Sequence, residues 1–486
     1  MSDRPNILLI LTDQHRLSAV GCYGETPCRT PNLDRLAARG TRFETVYTTC
    51  PLCSPARGSV MTGTWPHRHG ITANTNNLTS ACHFVRDHPS ILPRQLQGRS
   101  YRTGYTGKWH LGDQRDEMIL GKYPVPWPEI EALPRDFGFD GQNFSGHGDG
   151  GFQYEQYRQY LRDNGWQHEK QNGELTGPVE STVPYFLTSH TMSLVDQYAD
   201  GDEPFFIWHN FWGPHGPYLA TKEFNDLYRD VDIPPWPNFE WPSRSIPGPH
   251  QAKIHPEAES MTWDGHWKRQ VQRYYAFTTM IDAQIGRLLD HLEQRGIADN
   301  TVILFAGDHG ETCGSHGGLT DKGYHHFEET QRIPLIVSGP GVGSGAVRRE
   351  LVSLADVMPT ICDLAGGDPS MEPIQGRSLA PLLRGENVGD WREDVVVEFD
   401  GLNHGACTLR TLRRGPYKYG LNIAHEDELY DLDADPWETC NLIRHPAYQE
   451  VARTLRTRLF NWLQEADDQA LAALRTKQRY YETQPR

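Results

Sequence analysis

The sequence predicts an α/β protein: a large, mostly parallel sheet sandwiched by helices, with a smaller C-terminal antiparallel-sheet-plus-helix domain. Three observations carry this prediction. Continuous apolar runs of strand length recur along the chain, helical patterns lie between them, and after Gly366-Gly367 the pattern changes to short strand-like pieces followed by a helical tail. With 486 residues the chain exceeds the size at which one core keeps growing, so a large domain over 1–370 and a smaller one over 371–486 are expected.

Taken in order, Arg4 to Asp13 is an apolar run ending in polar residues, the pattern of a strand buried on both faces. Pro31 to Arg39 reads as a helix with Thr30 as cap, Pro31 in the first turn and Gly40 as stop. Pro51 to Gly63 reads as a turn feeding a short helix that Gly63 ends. Gly112 to Asp202 and Asp230 to Trp267 are rich in Pro, Gly, Trp and His without a sustained period, and are expected to be long decorated loops. Further strands are expected at Pro204 to Phe211, Thr301 to Asp308 and Ile333 to Gly339, and a long helix from Val271 to Arg295 closed by Gly296. Beyond residue 370, strands are expected at Val395 to Phe399, Cys407 to Arg413 and Tyr417 to Leu421, then a helix from about Ala447 to the end.

The charge balance excludes some partners. With 47 basic and 63 acidic residues the net charge is −16, which argues against nucleic acid or an anionic membrane as a general partner. An anionic substrate must then meet a local cluster of cations. The start lacks a secretory pattern and Ile7 to Leu11 is too short to span a bilayer, so a cytoplasmic location is expected. Nine scattered cysteines suggest neither a disulfide framework nor a structural zinc site, and a redox pair at Cys50 and Cys53 is the lesser reading.

Two features point to chemistry. Asp13 and Asp308 sit where strands end, the edge at which open α/β sheets bind ligands. Cys53-Ser-Pro-Ala-Arg57 places a cysteine at a helix start, where unpaired N–H groups and the dipole favour an anion. A buried structural cysteine before a helix would give the same pattern, and this segment alone leaves both readings open.

Over nearly its whole length the chain resembles the type I, formylglycine-dependent sulfatases of the alkaline phosphatase superfamily. The resembling segments are Pro5 to Gln14, Thr30 to Ala37, the Cys53 pentapeptide, Thr106-Gly-Lys-Trp-His-Leu-Gly112, Gly307-Asp-His-Gly-Glu311, Arg332 to Ile336 and Glu428 to Asp433. The resemblance implies that a maturation enzyme oxidises Cys53 to formylglycine, whose hydrate is the nucleophile. It implies one divalent metal on Asp13, Gln14, Asp308 and His309, with residue 53 facing it. Oxygen donors favour Ca²⁺, while His309, where many relatives carry Asn, leaves Mn²⁺ open. Arg57 is expected to hold the modified side chain and a substrate oxygen. Lys108 and His110 match positions that grip the nucleophile and the sulfate, and His215 and Lys322 match positions that reach the ester and leaving-group oxygens.

Asn74 is a candidate contact for substrate or diol. A structural role is at least as fitting for His67 and His69, whereas His325 and His326 are candidates to line the pocket. Trp212, Trp236, Trp241 and Tyr324 could stack on a substrate ring or pack the loops themselves.

The leading expectation is an arylsulfatase-like hydrolase of a small sulfated aryl, alkyl or carbohydrate compound. A phosphonate monoester or phosphodiester hydrolase of the same superfamily is the nearest rival, and a non-catalytic binding protein with unmodified Cys53 a third reading. A homo-oligomer is compatible with the long tail after Gln464.

Overall fold

A computed structural model describes residues 4–77, 79–112, 132–144, 148–167, 170–171, 173–241, 248–254, 257, 260–402 and 405–483. The large sheet contains β1 (Asn6–Asp13), β2 (Thr41–Phe43), β3 (Arg102–Gly107), β4 (Asp140–Gly141), β5 (Phe205–Pro214), β6 (Thr301–Gly307), β7 (Leu335–Ser338) and β8 (Ala346–Arg348). Their spatial order is β8-β2-β7-β6-β1-β5-β3-β4. All neighbours are parallel except β7, which runs antiparallel to both β6 and β2.

The apolar run of β1 explains its central place. Successive side chains of a strand point to opposite faces, so a strand covered on both sides must be apolar throughout. Ile7, Leu9 and Leu11 pack on one face with Val60 and Met61 of α2 (Cys53–Thr62). Leu8 and Ile10 pack on the other with α1 (Pro31–Arg39), α3 (Val183–Ala199) and α4 (Lys268–Gln294).

Two local expectations need correction. Thr30 occupies the cap position of α1, but its hydroxyl accepts from the Gly21 N–H at 2.8 Å. The orphan N–H groups of Asn32 and Leu33 go instead to the Asp282 carboxylate of α4, at 3.1 and 2.9 Å. The stretch expected as loop over Gly112 to Asp202 contains helices, Glu155–Asp163 and the 17-residue α3. Helix α3 is buried against both the sheet and α4, which hides the polar–apolar alternation that would announce it. Residues 113–131 of that expected loop lie outside the described residues.

The C-terminal sheet is antiparallel, ordered β9 (Asp394–Leu402), β10 (Gly405–Arg414), β11 (Tyr417–Asn422) and β12 (Glu428–Asp431). It thus has one strand more than expected, and the tail is two helices, α5 (Gln449–Glu465) and α6 (Ala470–Thr483). The break falls at Asp467, with φ 57°, and at Asp468, whose carboxylate holds Arg410 of β10 at 2.7 and 3.0 Å. Leu455, Leu459 and Leu463 of α5 cover Val396, Leu412 and Leu421. This layer docks beside α2: the Glu398 N–H donates to the Thr49 carbonyl at 2.8 Å, and the Trp65 indole to the Val396 carbonyl at 2.8 Å. Among the described residues no helix is long and apolar enough to cross a membrane.

Candidate active site

Strands β1 and β6 bring two carboxylates together. Their register pairs Thr12 with Gly307, and the Asp308 N–H donates to the Thr12 carbonyl at 3.0 Å, so Asp13 and Asp308 leave the sheet side by side. Gln14 turns the chain away with φ 61°. The N–H groups of Gln14 and His309 both donate to Asp308 Oδ1, at 3.0 and 2.8 Å.

Helix α2 aims its start at these strand ends. Leu52 is the extended residue before it and Cys53 its first residue, so the positive end of the helix dipole lies at Cys53. Cys53 Sγ lies 3.5 Å from Asp13 Oδ1 and 3.4 Å from His309 Nε2. The Ser54 N–H donates to Asn74 Oδ1 at 3.1 Å, which caps the helix and leaves the amide N–H₂ as the free end of Asn74. Arg57 stands one turn on, on the same face as Cys53. Fully buried, it reaches Asp308 Oδ2 through Nε and Nη2, both at 3.1 Å, Asn210 Oδ1 at 2.8 Å and the Lys108 carbonyl at 3.1 Å.

Two lysines complete the cationic ring. At the end of β3, Gly107 has φ 90° and presses so close to β5 that a Cβ would stand 1.7 Å from the Asn210 carbonyl oxygen, so only glycine fits. This approach delivers Lys108, whose ammonium pairs with Asp13 Oδ2, while the Tyr105 hydroxyl anchors its carbonyl at 2.5 Å. Lys322 donates to Gln14 Oε1 and lies 3.4 Å from Asp321 Oδ1.

Burial works against every charge here, and the mutual pairing overcomes it. Asp13 would be raised by burial, but Lys108, His215, Arg57 and Lys322 hold it well below the usual carboxylate range. Burial would lower Lys322, but Cys53, Asp321, Asp13 and Asp308 together raise it. Burial, then Asp13, pushes the Cys53 thiol up to about 11, so an unmodified residue 53 is a neutral thiol at neutral pH. Burial lowers His309. Its Nδ1 faces the Gly310 carbonyl at 3.0 Å and must carry the proton, which leaves a lone pair on Nε2 towards the cluster.

The donor set fits a divalent cation. Asp13, Cys53, Asp308 and His309 each offer a ligand atom, all within 4.8 Å of one another and all buried. Gln14 Oε1 accepts from the Lys322 ammonium, while its amide nitrogen is held by Glu311 and, at 3.1 Å, by Asp321.

The sulfatase family pattern matches residues 5–367, three quarters of the chain. The chain belongs to the sulfatase family. The C-terminal pattern of N-sulphoglucosamine sulphohydrolase matches residues 314–465. The sulfatase is 29% identical to the uncharacterized sulfatase YidJ of Escherichia coli, over 96% of this chain and 88% of that one. It is 29% identical to the multifunctional alkaline phosphatase superfamily protein PehA of Trinickia caryophylli, over 97% and 98%. It is 28% identical to a choline-sulfatase of Rhizobium meliloti, over 96% and 89%. The fold matches that of a phosphonate monoester hydrolase of Agrobacterium radiobacter with a TM-score of 0.77, at 24% identity over 96% of this chain and 97% of that one. It is therefore a sulfatase-family hydrolase of the alkaline phosphatase superfamily.

The remaining candidates fall into two groups. His110 is buried two residues past Lys108, with φ 56°. His215 follows β5 half-buried, with Nδ1 2.6 Å from the Gly216 carbonyl and within electrostatic reach of Lys322, Asp13 and Lys108. The others serve the structure. His67 bridges Glu398 at 2.6 Å and the Ala466 carbonyl at 3.0 Å; His69 contacts Ser59 at 3.3 Å. His326 contacts Thr411 at 2.6 Å and Asn422 at 3.2 Å, and His325 stacks on Phe327. The indoles of Trp236 and Trp241 donate to the carbonyls of Cys313 and Thr439, both at 2.8 Å, and Tyr324 to that of Leu402 at 2.5 Å. Cys50 and Cys53 are both free thiols.

Sequence reasoning missed Asn210, Glu311 and Asp321. Glu311 stands in the Gly307-Asp-His-Gly-Glu311 segment and was available as a signal; Asn210 and Asp321 reach the site only through strand pairing and loop folding.

Proposed function

We propose that this sulfatase hydrolyses sulfate monoesters of a small aryl, alkyl or carbohydrate compound, with residue 53 as the nucleophilic position. The observation that carries this reading is the convergence of three buried cations, Arg57, Lys108 and Lys322, on a side chain at a helix start. Such a ring rewards a substrate whose terminal oxygens are fully charged, in a site where low dielectric strengthens each contact.

Formylglycine at residue 53, made by a maturation enzyme, supplies a geminal diol as the nucleophile. A divalent ion on Asp13, Gln14, Asp308 and His309, Ca²⁺ first and Mn²⁺ second, supplies positive charge beside that diol. The chain's own residues do the rest. Asp13 and His309 bracket residue 53, Asn74 fixes the helix start, and Arg57, pinned by Asp308 and Asn210, sets the orientation of the anion-binding face. Lys108, just after β3, and Lys322, on the loop before the short helix Glu328–Gln331, would bind sulfate oxygens with His110, and His215 would serve the bridging oxygen.

A second reading is a phosphonate monoester or phosphodiester hydrolase. The Asp-Gln and Asp-His pairs favour it, and the fold is shared with the phosphonate monoester hydrolase of Agrobacterium radiobacter. Comparison of kcat/KM for a sulfate monoester, a phosphonate monoester and a phosphate diester with matched leaving groups separates the two. The sulfate ester is expected to be the best substrate, and a larger value for either rival overturns the assignment. Mass measurement of the peptide carrying residue 53 tests the binding-protein reading: formylglycine is expected, and Cys53→Ala should abolish turnover.

A further inference from the structure

The long segment over Asp230 to Trp267 carries a further cation to the edge of the site. Lys253 ends the short helix Pro249–Lys253, and its carbonyl accepts from the N–H and the hydroxyl of Thr320, both at 3.1 Å. Beside it, Ile254 pairs with Leu319 in an antiparallel bridge. From the other side the Asp321 carbonyl accepts from the Thr312 N–H at 3.2 Å and from the Thr312 hydroxyl at 3.1 Å. The backbone of residues 319–321 is thus held from both flanks.

The side chains use this frame. The two oxygens of the Asp321 carboxylate have different partners: Oδ2 accepts from the Lys253 ammonium at 2.9 Å, while Oδ1 accepts from the Gln14 amide at 3.1 Å and lies 3.4 Å from the Lys322 ammonium. Lys322 in turn donates to Gln14 Oε1. The Lys253 side chain is only 9% exposed, and that of Asp321 38%. A buried ammonium needs an anion beside it, and a carboxylate at the edge of an anion-binding site needs its charge offset. Each group meets the need of the other. Without Lys253, the whole charge of Asp321 would bear on Lys322 and would oppose a sulfate ester bound there.

Resting on the sulfate-ester reading above, we propose that Lys253 is a positioning residue of the anion site: it engages Asp321 Oδ2, so that Lys322 stays available to a substrate oxygen. It acts through Asp321 rather than by contact with the reacting atoms. Because the link to Thr320 uses the Lys253 carbonyl, replacing the side chain removes the charge and leaves those backbone contacts in place.

The test uses the metal-loaded, formylglycine-bearing enzyme, with nitrophenyl sulfate as substrate and inorganic sulfate as competitive inhibitor. Lys253→Met should raise KM and the sulfate Ki roughly tenfold each and leave kcat within about twofold, because anion binding is weakened alike in the ground state and the transition state. Lys253→Arg keeps the charge and should stay within about threefold of the wild type. The double variant decides the role. Adding Asp321→Asn to Lys253→Met removes the stranded charge, keeps an acceptor for the Gln14 amide and should bring KM back to within about threefold of the wild type. A lysine needed only for the fold would show no such rescue. Should Lys253→Met fold poorly, Lys253→Gln serves for the same comparison. Unchanged KM and Ki in a folded variant, or a raised KM that Asp321→Asn does not restore, overturns the inference and leaves the sulfatase reading standing. A wild-type enzyme that turns over phenyl phosphonate monoesters but no sulfate ester overturns the parent reading, and the same series on the phosphonate then decides the role of Lys253.

Discussion

His215 sits at the end of β5 with Nδ1 against the Gly216 carbonyl. Burial, then Lys322, pushes its pKa down to about 3, so the ring is neutral near pH 7. Its Nδ1–H goes to the Gly216 carbonyl at 2.6 Å. To assist a departing alkoxide the ring must gain a second proton, and the negative charge of a bound sulfate ester raises its pKa in that direction. The consequence is graded by leaving group. His215→Ala should cost a few-fold in kcat/KM for nitrophenyl sulfate, whose phenolate leaves unaided, and about 100-fold for an alkyl sulfate. A leaving-group series measures this directly: equal losses across it would place His215 in sulfate binding and move the acid role elsewhere. His215 and Lys322 were legible in the sequence through local patterns, as were Cys53, Asp13 and Asp308, which raise Lys322; Asp321, which also raises it, was not. Asp321, which faces Lys322 at 3.4 Å, has no sequence signature, because its importance comes from the fold that buries Lys322 beside it.

At the scale of elements, the short helix Pro66–His69 ties α2 to β9 of the C-terminal sheet. The His67 N–H donates to Glu398 Oε2 at 3.0 Å and its ring contacts Glu398 Oε1 at 2.6 Å. Burial alone would lower the pKa of His67, but the Glu398 carboxylate outweighs it and raises it. A histidine with a folded-state pKa above its unfolded value of about 6.5 stabilises the fold fully below that pH and loses the contribution as pH rises through the folded value. The docking of the C-terminal layer should therefore weaken as pH climbs above about 6.5. His67→Gln should lower stability by about 1–3 kcal/mol at pH 6 and flatten the pH dependence of Tm between pH 6 and 8. An unchanged slope in that variant would remove His67 as its source. Elements with a single buried stripe or a continuous apolar run, such as α4 and β1, were legible from their spacing. Helix α3 was not, because contacts with the sheet on one side and α4 on another erase the period, and β12 was too short to separate from the turns around it.

At the scale of the whole molecule, the site is assembled from chain segments that share nothing in sequence. Cys53 and His309 are 256 residues apart and meet at 3.4 Å, and Asp13 and Asp308 arrive on neighbouring strands. Lysine and arginine contacts balance the buried carboxylates, at the cost of desolvating both partners. A divalent ion on Asp13, Gln14, Asp308 and His309 would bind only when β1 and β6 are in place, and would therefore stabilise the folded chain by mass action. At a free concentration 100 times Kd this amounts to about 2.7 kcal/mol, enough to raise Tm by several degrees. The metal-stripped protein should thus melt lower than protein reloaded with Ca²⁺ or Mn²⁺, with a shift that grows with the logarithm of metal concentration, and the ion giving the tighter curve is the resident one. Asp308→Asn should abolish the shift, while Cys53→Ala, which leaves the four protein donors intact, should retain most of it. Identical melting with and without metal would dissolve the assignment of these residues as ligands. It would leave Asp13 and Asp308 as counter-ions that hold Arg57 and Lys108 in place for the substrate anion.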